Sequence, residues 1–307
     1  MSDSLSQFKT SISRFSYAAG VQPTSGGGES IRSSPRSSPT KRPAAEPSSE
    51  PKQRKKKKRS YAPPEAYPGL SQVPDYLGPD LDVIFCGINP GMKSAEYGCH
   101  YGNPSNHFWW CLHNSGFTDT QISPKNDFTL PERFSLGLTN LVDRPTAQQS
   151  ELSAQEQLDS APVFLGKIAH YRPCIVFYTG LSIAKAVETK LGITHTGTQS
   201  WGLRQYKIVH SNPSLFGETL FFAAPSTSGL VTHFKRPEKA RIFGEARQLV
   251  ADIKAGRIST AGMYTVKSSQ ITAFTVPQLN LETPTPLRLS PDVKDGEEDI
   301  SVKEGDT

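Results

Sequence analysis

Asp82-Val83-Ile84-Phe85-Cys86-Gly87-Ile88-Asn89-Pro90-Gly91 decides how the rest of this chain is read. An acidic lead-in gives way to a run of β-branched and aromatic residues that stops at a Gly/Asn/Pro/Gly turn. The run shows no alternation of apolar and polar residues, the pattern of a strand covered on both faces. Pro90 ends the strand because it lacks an N–H and fixes φ. Gly87 and Gly91 are expected to let the backbone pass close to something bulky. Asn89 is left at the carboxyl end of the strand, where open α/β sheets hold their ligands. A plain strand-to-helix turn uses the same residue types. The stretch alone therefore leaves Asn89 as either a turn residue or a site residue.

Similar runs recur on either side. Pro173-Cys174-Ile175-Val176-Phe177-Tyr178-Thr179-Gly180 repeats the buried-strand pattern, and Leu220-Phe221-Phe222-Ala223-Ala224 gives another apolar strand. Phe134 to Val142 is strand-like, and Trp201 to Ser211 reads as a hairpin-like or edge segment. Helical spacing is expected from Asn106 to Ser115, closed by Gly116, and again from Ser182 to Leu191. Ser153 to Tyr171 opens on a Ser153-x-x-Glu156 capping box, and Pro237 to Lys254 is the last clear helix. Strands alternating with helices predict an α/β fold with a mostly parallel central sheet and helices on both faces.

Composition limits where that fold lies. Hydrophobic residues make up 35% of the 307, below the usual ~45–50%. Residues 1–60 carry 13 Lys/Arg against 4 Asp/Glu, a net of +9, while residues 280–307 carry 3 against 8, a net of −5. The Ser/Pro/Gly-rich segment 1–60 has little to bury and is expected to be a disordered basic tail. Residues 61–255 form the expected domain, and 256–307 a largely disordered acidic tail. The dense run Pro51-Lys52-Gln53-Arg54-Lys55-Lys56-Lys57-Lys58-Arg59 suits a nuclear-import signal, a nucleic-acid arm, or both. A nuclear location follows from that run. Four cysteines without a secretory signal point to a reducing compartment. No apolar run approaches the ~18 residues that span a membrane.

Three further motifs carry chemistry. Gly98-Cys99-His100-Tyr101-Gly102-Asn103-Pro104-Ser105-Asn106-His107-Phe108-Trp109 follows the opening strand, then Thr139-Asn140-Leu141-Val142-Asp143-Arg144, then Ala224-Pro225-Ser226-Thr227-Ser228-Gly229-Leu230. In this order they resemble the mismatch-specific thymine/uracil-DNA glycosylases, the thymine-DNA-glycosylase branch of the uracil-DNA glycosylase superfamily. The likeness covers about residues 80–250. It implies a uracil-DNA glycosylase-like three-layer fold whose partner is double-stranded DNA holding a mismatched or damaged base. The target nucleotide is flipped out of the duplex, which costs less for a mispaired base. Hydrolysis of its N-glycosidic bond then requires a positioned water and stabilised charge rather than a strong nucleophile.

The resemblance assigns roles by position. Asn89 falls where the family positions its water. Relatives specialised for uracil carry Asp there, a real general base, so Asn implies slower chemistry. Thr146 matches a hydroxyl that helps hold the water. Tyr101 matches the aromatic platform for the flipped base, with core packing as its plain alternative. Asn106 and Asn140 match polar residues of the base pocket, with His100 beside it. Asn106 is equally suited to cap the following helix. Gly87 and Ile88 would offer backbone groups to the base. Ser226, Ser228 and Gly229 belong to a loop that meets phosphates, and Leu230 falls where the family inserts a side chain into the vacated gap. Lys235 and Arg236 are candidates for phosphate contact or for a solvated face.

The resemblance implies no cofactor, no metal and a monomer. Cys99, His100, His107, Cys111 and His113 lack paired zinc-ligand spacing, and no P-loop lysine follows the glycines. Asn212-Pro213-Ser214 mimics a glycosylase motif inside a Gly/Pro/Ser loop and reads as an insertion. Gly296-Glu297-Glu298-Asp299-Ile300-Ser301-Val302 is a candidate for adding a strand to a small ubiquitin-like (SUMO-like) modifier, with a plain acidic tail as the alternative. Two rival functions remain: a catalytically silent mismatch binder on the same fold, and a Rossmann-like nucleotide-binding protein.

Overall fold

The computed structural model describes residues 16–17, 60–193, 201–211 and 215–275. Seven strands form one sheet: β1 (Ser16–Tyr17), β2 (Val83–Gly87), β3 (Leu136–Asn140), β4 (Ile175–Tyr178), β5 (Trp201–Val209), β6 (Glu218–Ala223) and β7 (Tyr264–Lys267). The helices are α1 (Met92–Tyr97), α2 (Phe108–Asn114), α3 (Leu130–Phe134), α4 (Ala154–Tyr171), α5 (Leu181–Lys190), α6 (Arg236–Lys254) and α7 (Ser268–Thr275). Strands β3, β2, β4 and β6 are neighbours in that order and all parallel. β5 runs antiparallel to β6, with a register shift between Leu203 and Lys207.

The unbroken apolar run of β2 is explained by burial on both sides. Val83 and Phe85 enter one core with Phe108 and Leu112 of α2 and Phe243 and Leu249 of α6. Ile84 and Cys86 enter the other with Phe164 and Ile168 of α4 and Ile183 and Val187 of α5. Phe85 is a hub of the first core, packed edge-on against Phe108 at 5.3 Å and Phe117 at 5.4 Å and stacked on Phe243 at 5.7 Å. These two cores make the three layers expected from the sequence. The Ser153/Glu156 capping box opens α4 as its spacing predicts. Among the described residues, no helix is long and apolar enough to cross a membrane.

Several elements differ from the expected bounds. The strand expected from Phe134 starts at Leu136, because Phe134 ends α3 and Ser135 takes a left-handed φ of 55°. The helix expected from Asn106 starts at Phe108. Ordered structure continues past residue 255, where β7 pairs in parallel with β5. In the segment expected to be disordered, Ser16 and Tyr17 pair antiparallel with Gly202 and Trp201. The outer edge of β5 offers unpaired backbone groups, which favours both additions. The basic run, the 212–214 loop and the acidic C-terminal motif lie outside the described residues.

The amino end of the sheet carries a buried histidine with a consequence for pH. His210 Nε2 lies 2.8 Å from Thr219 Oγ1, which itself donates to the Pro173 carbonyl at 2.6 Å. Thr219 has spent its proton, so His210 Nε2–H is the donor. Burial, helped by nearby Arg172, pushes the His210 pKa from 6.5 down to about 4. A depressed pKa means that the stabilisation is complete above pH 6.5 and is lost as pH falls toward 4. Its size is roughly 3 kcal/mol. Asp127, whose pKa burial raises to about 6, slopes the other way. The difference between wild type and His210→Gln in denaturant titrations from pH 7 to 4 isolates the histidine. Parallel stability profiles would contradict the assignment.

Candidate active site

Four parallel strands deliver their carboxyl ends to one edge of the sheet, and each end carries site residues. β2 leads to Asn89, β3 ends at Asn140 and leads to Thr146, β4 leads to Thr179, and β6 leads to the loop 224–231. Together with the 100–106 segment they enclose a cavity of about 450 Å³. Of the fourteen residues singled out from the sequence, twelve line it: Gly87, Ile88, Asn89, His100, Tyr101, Asn106, Asn140, Thr146, Ser226, Ser228, Gly229 and Leu230. Lys235 and Arg236 do not. Lys235 is exposed at the start of α6, and the Arg236 guanidinium sits 4.9 Å over the Trp110 ring. Among the described residues, no acidic or basic side chain other than His100, and no cysteine, lines the cavity.

The orientation of the Asn89 amide is fixed by its partners. Nδ2 donates to the Arg144 carbonyl at 2.9 Å and to Thr146 Oγ1 at 2.8 Å. Thr146 donates its own hydroxyl proton to the Gln148 carbonyl at 3.0 Å, so it can only accept from Asn89. Both facing atoms are acceptors, which puts nitrogen toward them and leaves Oδ1 as an acceptor at the cavity. Thr146 is 1% exposed and its hydroxyl is satisfied on both sides. Its proton is spent on Gln148 and one lone pair on Asn89, so toward a water it can act only as an acceptor. Arg144 is anchored behind the site, bidentate to Glu156 and bonded to the Ala62 carbonyl at 2.9 Å.

Tyr101 stacks on Phe108 with ring centroids 3.8 Å apart and planes 12° from parallel. Its backbone has φ 52°, the left-handed region that non-glycine residues occupy at a cost. Its hydroxyl lies 3.3 Å from Thr179 Oγ1, which donates to the Cys86 carbonyl at 3.1 Å. The Tyr101 hydroxyl is therefore the donor, and burial holds its pKa well above the usual range. Tyr101 is thus packed against the core through Phe108 and also lines the cavity.

Asn140 is 6% exposed and makes no side-chain hydrogen bond among the described residues. A Cβ at Gly87 would lie 2.5 Å from Asn140 Oδ1 and 3.4 Å from the Tyr101 hydroxyl, so a larger residue there would displace the Asn140 amide. Gly91, by contrast, lines the cavity, and a Cβ there would meet no protein atom within 4 Å. Asn106 Oδ1 accepts from the Phe108 N–H at 2.9 Å, which satisfies a free donor at the start of α2. The capping alternative thus accounts for its oxygen, while its amide nitrogen has no protein partner among the described residues. His100 is bonded through Nε2 to the Pro74 carbonyl at 2.8 Å, and burial lowers its pKa. It is a neutral wall residue.

At the rim, Leu230 is 79% exposed. Two serine hydroxyls shape its loop, with Ser226 Oγ accepting from Ser228 N and Ser228 Oγ from Leu230 N, both at 3.3 Å. Gly229 packs against the neighbouring loop, where an added Cβ would meet the Ser105 carbonyl at 2.6 Å. Sequence reading missed Thr179, although it ends a recognised strand beside Gly180. Among the described residues no cluster of His, Cys, Asp and Glu could hold a metal ion.

Residues 74–249 match the family model of the Uracil DNA glycosylase superfamily. The chain belongs to that superfamily, and DNA glycosylase is the class of hydrolase that membership supports. Its structure is also similar to the solution NMR structure of a candidate uracil DNA glycosylase from Methanosarcina acetivorans. That match has 17% identity and a TM-score of 0.40, and it covers 58% of this chain and 97% of the other.

Proposed function

We propose that this chain is a monofunctional DNA glycosylase that removes uracil or thymine mispaired with guanine. The observation that carries the reading is the Asn89 amide, locked so that it presents an acceptor and no proton-abstracting group to the cavity. Such a group can orient a water toward the sugar but is a poor base. The site then relies on the bond breaking largely before the water attacks, and on a substrate whose pairing is already weak. Tyr101, backed by Phe108, offers a ring on which a flipped base can stack, worth ~1–3 kcal/mol in single-strand binders. Asn140 and the Asn106 amide nitrogen supply hydrogen-bonding groups for its edge. Leu230 is the exposed apolar wedge that would hold the gap open.

Among the described residues no lysine lines the cavity, which supports hydrolysis without a Schiff base or strand cleavage. The wider reading includes nuclear location and phosphate contacts from the basic run at 52–59, action as a monomer, and docking of a SUMO-like modifier on the acidic tail. A gel shift on a G·U duplex, followed by alkali, tests the activity. Alkali-labile product is expected, and a retained shift with uncleaved DNA would favour the silent binder.

A further inference from the structure

The first turn of α6 buries a lysine directly behind the wedge. Lys239 is 1% exposed, yet among the described residues no carboxylate lies within 4.0 Å of its ammonium. Its three neighbours are dipoles: the Ser228 carbonyl at 3.4 Å, the Val231 carbonyl at 3.3 Å and His107 Nδ1 at 3.4 Å. An ammonium has three protons, so each has one acceptor. The two carbonyls bracket Leu230 in sequence. The imidazole belongs to the residue at the start of α2, whose own N–H donates to the Thr227 carbonyl at 2.8 Å. With the Gly229–Ser105 contact, these bonds stitch the wedge loop to the segment that carries Tyr101 and Asn106.

This arrangement is costly for the fold. A charge removed from water and met only by neutral dipoles recovers little of its desolvation, and burial lowers the Lys239 pKa accordingly. A methionine would fill similar space without that cost. A residue that is poor for stability but placed on three parts of one loop joint points to function.

We propose that Lys239 is a positioning residue that holds the 226–231 loop in the conformation from which Leu230 enters the duplex. The proposal rests on the glycosylase reading above. Holding the loop before DNA arrives spares the entropy of ordering it during flipping. Loss of the ammonium frees both carbonyls, and the wedge then samples positions from which it fails to fill the gap.

The test uses the full chain with four proteins: wild type, Lys239→Met, Leu230→Ala and the double variant. Readouts are single-turnover excision from a G·U duplex, fluorescence of 2-aminopurine beside the uracil as a report of flipping, and thermal melting. Lys239→Met is expected to melt at or above the wild-type temperature while excising at least ten-fold more slowly, with a smaller fluorescence rise. The double variant should match Leu230→Ala, because a residue that acts through the wedge has no effect once the wedge is gone. Should Lys239→Met fail to fold, Lys239→Gln, which keeps two donors without charge, carries the same comparison. Unchanged excision, or losses that multiply in the double variant, would overturn the proposal. A wild type that neither flips nor excises would remove the glycosylase reading, a result distinct from wild type and variant excising equally.

Discussion

Asn89→Ala is expected to slow single-turnover excision of uracil from a G·U duplex by at least about 100-fold, the penalty for misplacing a reacting group by about an ångström. Binding to the same duplex should stay within about threefold. The separation follows from where Asn89 sits. Its Nδ2 bonds tie it to Arg144 and Thr146 behind the cavity, and neither bond involves the rim loop from Ser226 to Leu230. Alanine removes the Asn89 acceptor from the cavity and leaves the Tyr101–Phe108 stack and the 226–231 loop intact. An aspartate could donate to neither the Arg144 carbonyl nor Thr146, so the local bonding favours an amide at this position. Excision by Asn89→Ala at a rate close to wild type would refute the water-positioning role.

The second large effect concerns stability. Arg204 of β5 and Glu188 of α5 form a two-pronged pair, Nε to Oε1 at 2.7 Å and Nη2 to Oε2 at 3.2 Å. Arg204 is 6% exposed and Glu188 1%. Glu188→Ala strands the buried guanidinium without its principal anion. Breaking such a pair from one side costs roughly 3–5 kcal/mol, a large part of a domain's ~5–15 kcal/mol net stability. Replacing both members with apolar residues of similar volume is expected to recover most of the loss, since the desolvation of two charges disappears with them. Urea unfolding of the single and paired variants measures both. A single variant within 1 kcal/mol of wild type would show that the pair is solvated in solution.

Much of this site is legible in the sequence because its chemistry sits at strand ends. The run from Val83 to Gly87 defines a doubly covered strand, and a parallel sheet carries such strands' carboxyl ends to one edge. Asn89, Asn140 and the Ser226–Leu230 loop were therefore bound to converge once the strands were placed. Gly87 and Gly91 show where composition runs out. Both suit a turn, but only Gly87 faces another side chain, and that depends on the β2–β3 register. Thr146 shows a second limit, since the direction of its hydrogen bonds is set by the Gln148 carbonyl and the Asn89 amide together. Lys239 marks the third. Within a helix whose polar face is rich in charge it looks ordinary, and only the approach of two loops from elsewhere in the chain buries it. The pairing of β1 and β7 on β5 was equally hidden, because edge pairing depends on which backbone groups the rest of the sheet leaves open.

The central claim is that a locked amide, which is a weak base, confines this enzyme to bases that are already poorly paired. It is tested most directly by single-turnover excision of uracil from two duplexes that differ only in the opposite base. Uracil opposite guanine should be removed many-fold faster than uracil opposite adenine, and Asn89→Ala should abolish the faster reaction. Equal rates opposite guanine and adenine, or excision that survives the loss of Asn89, would contradict it.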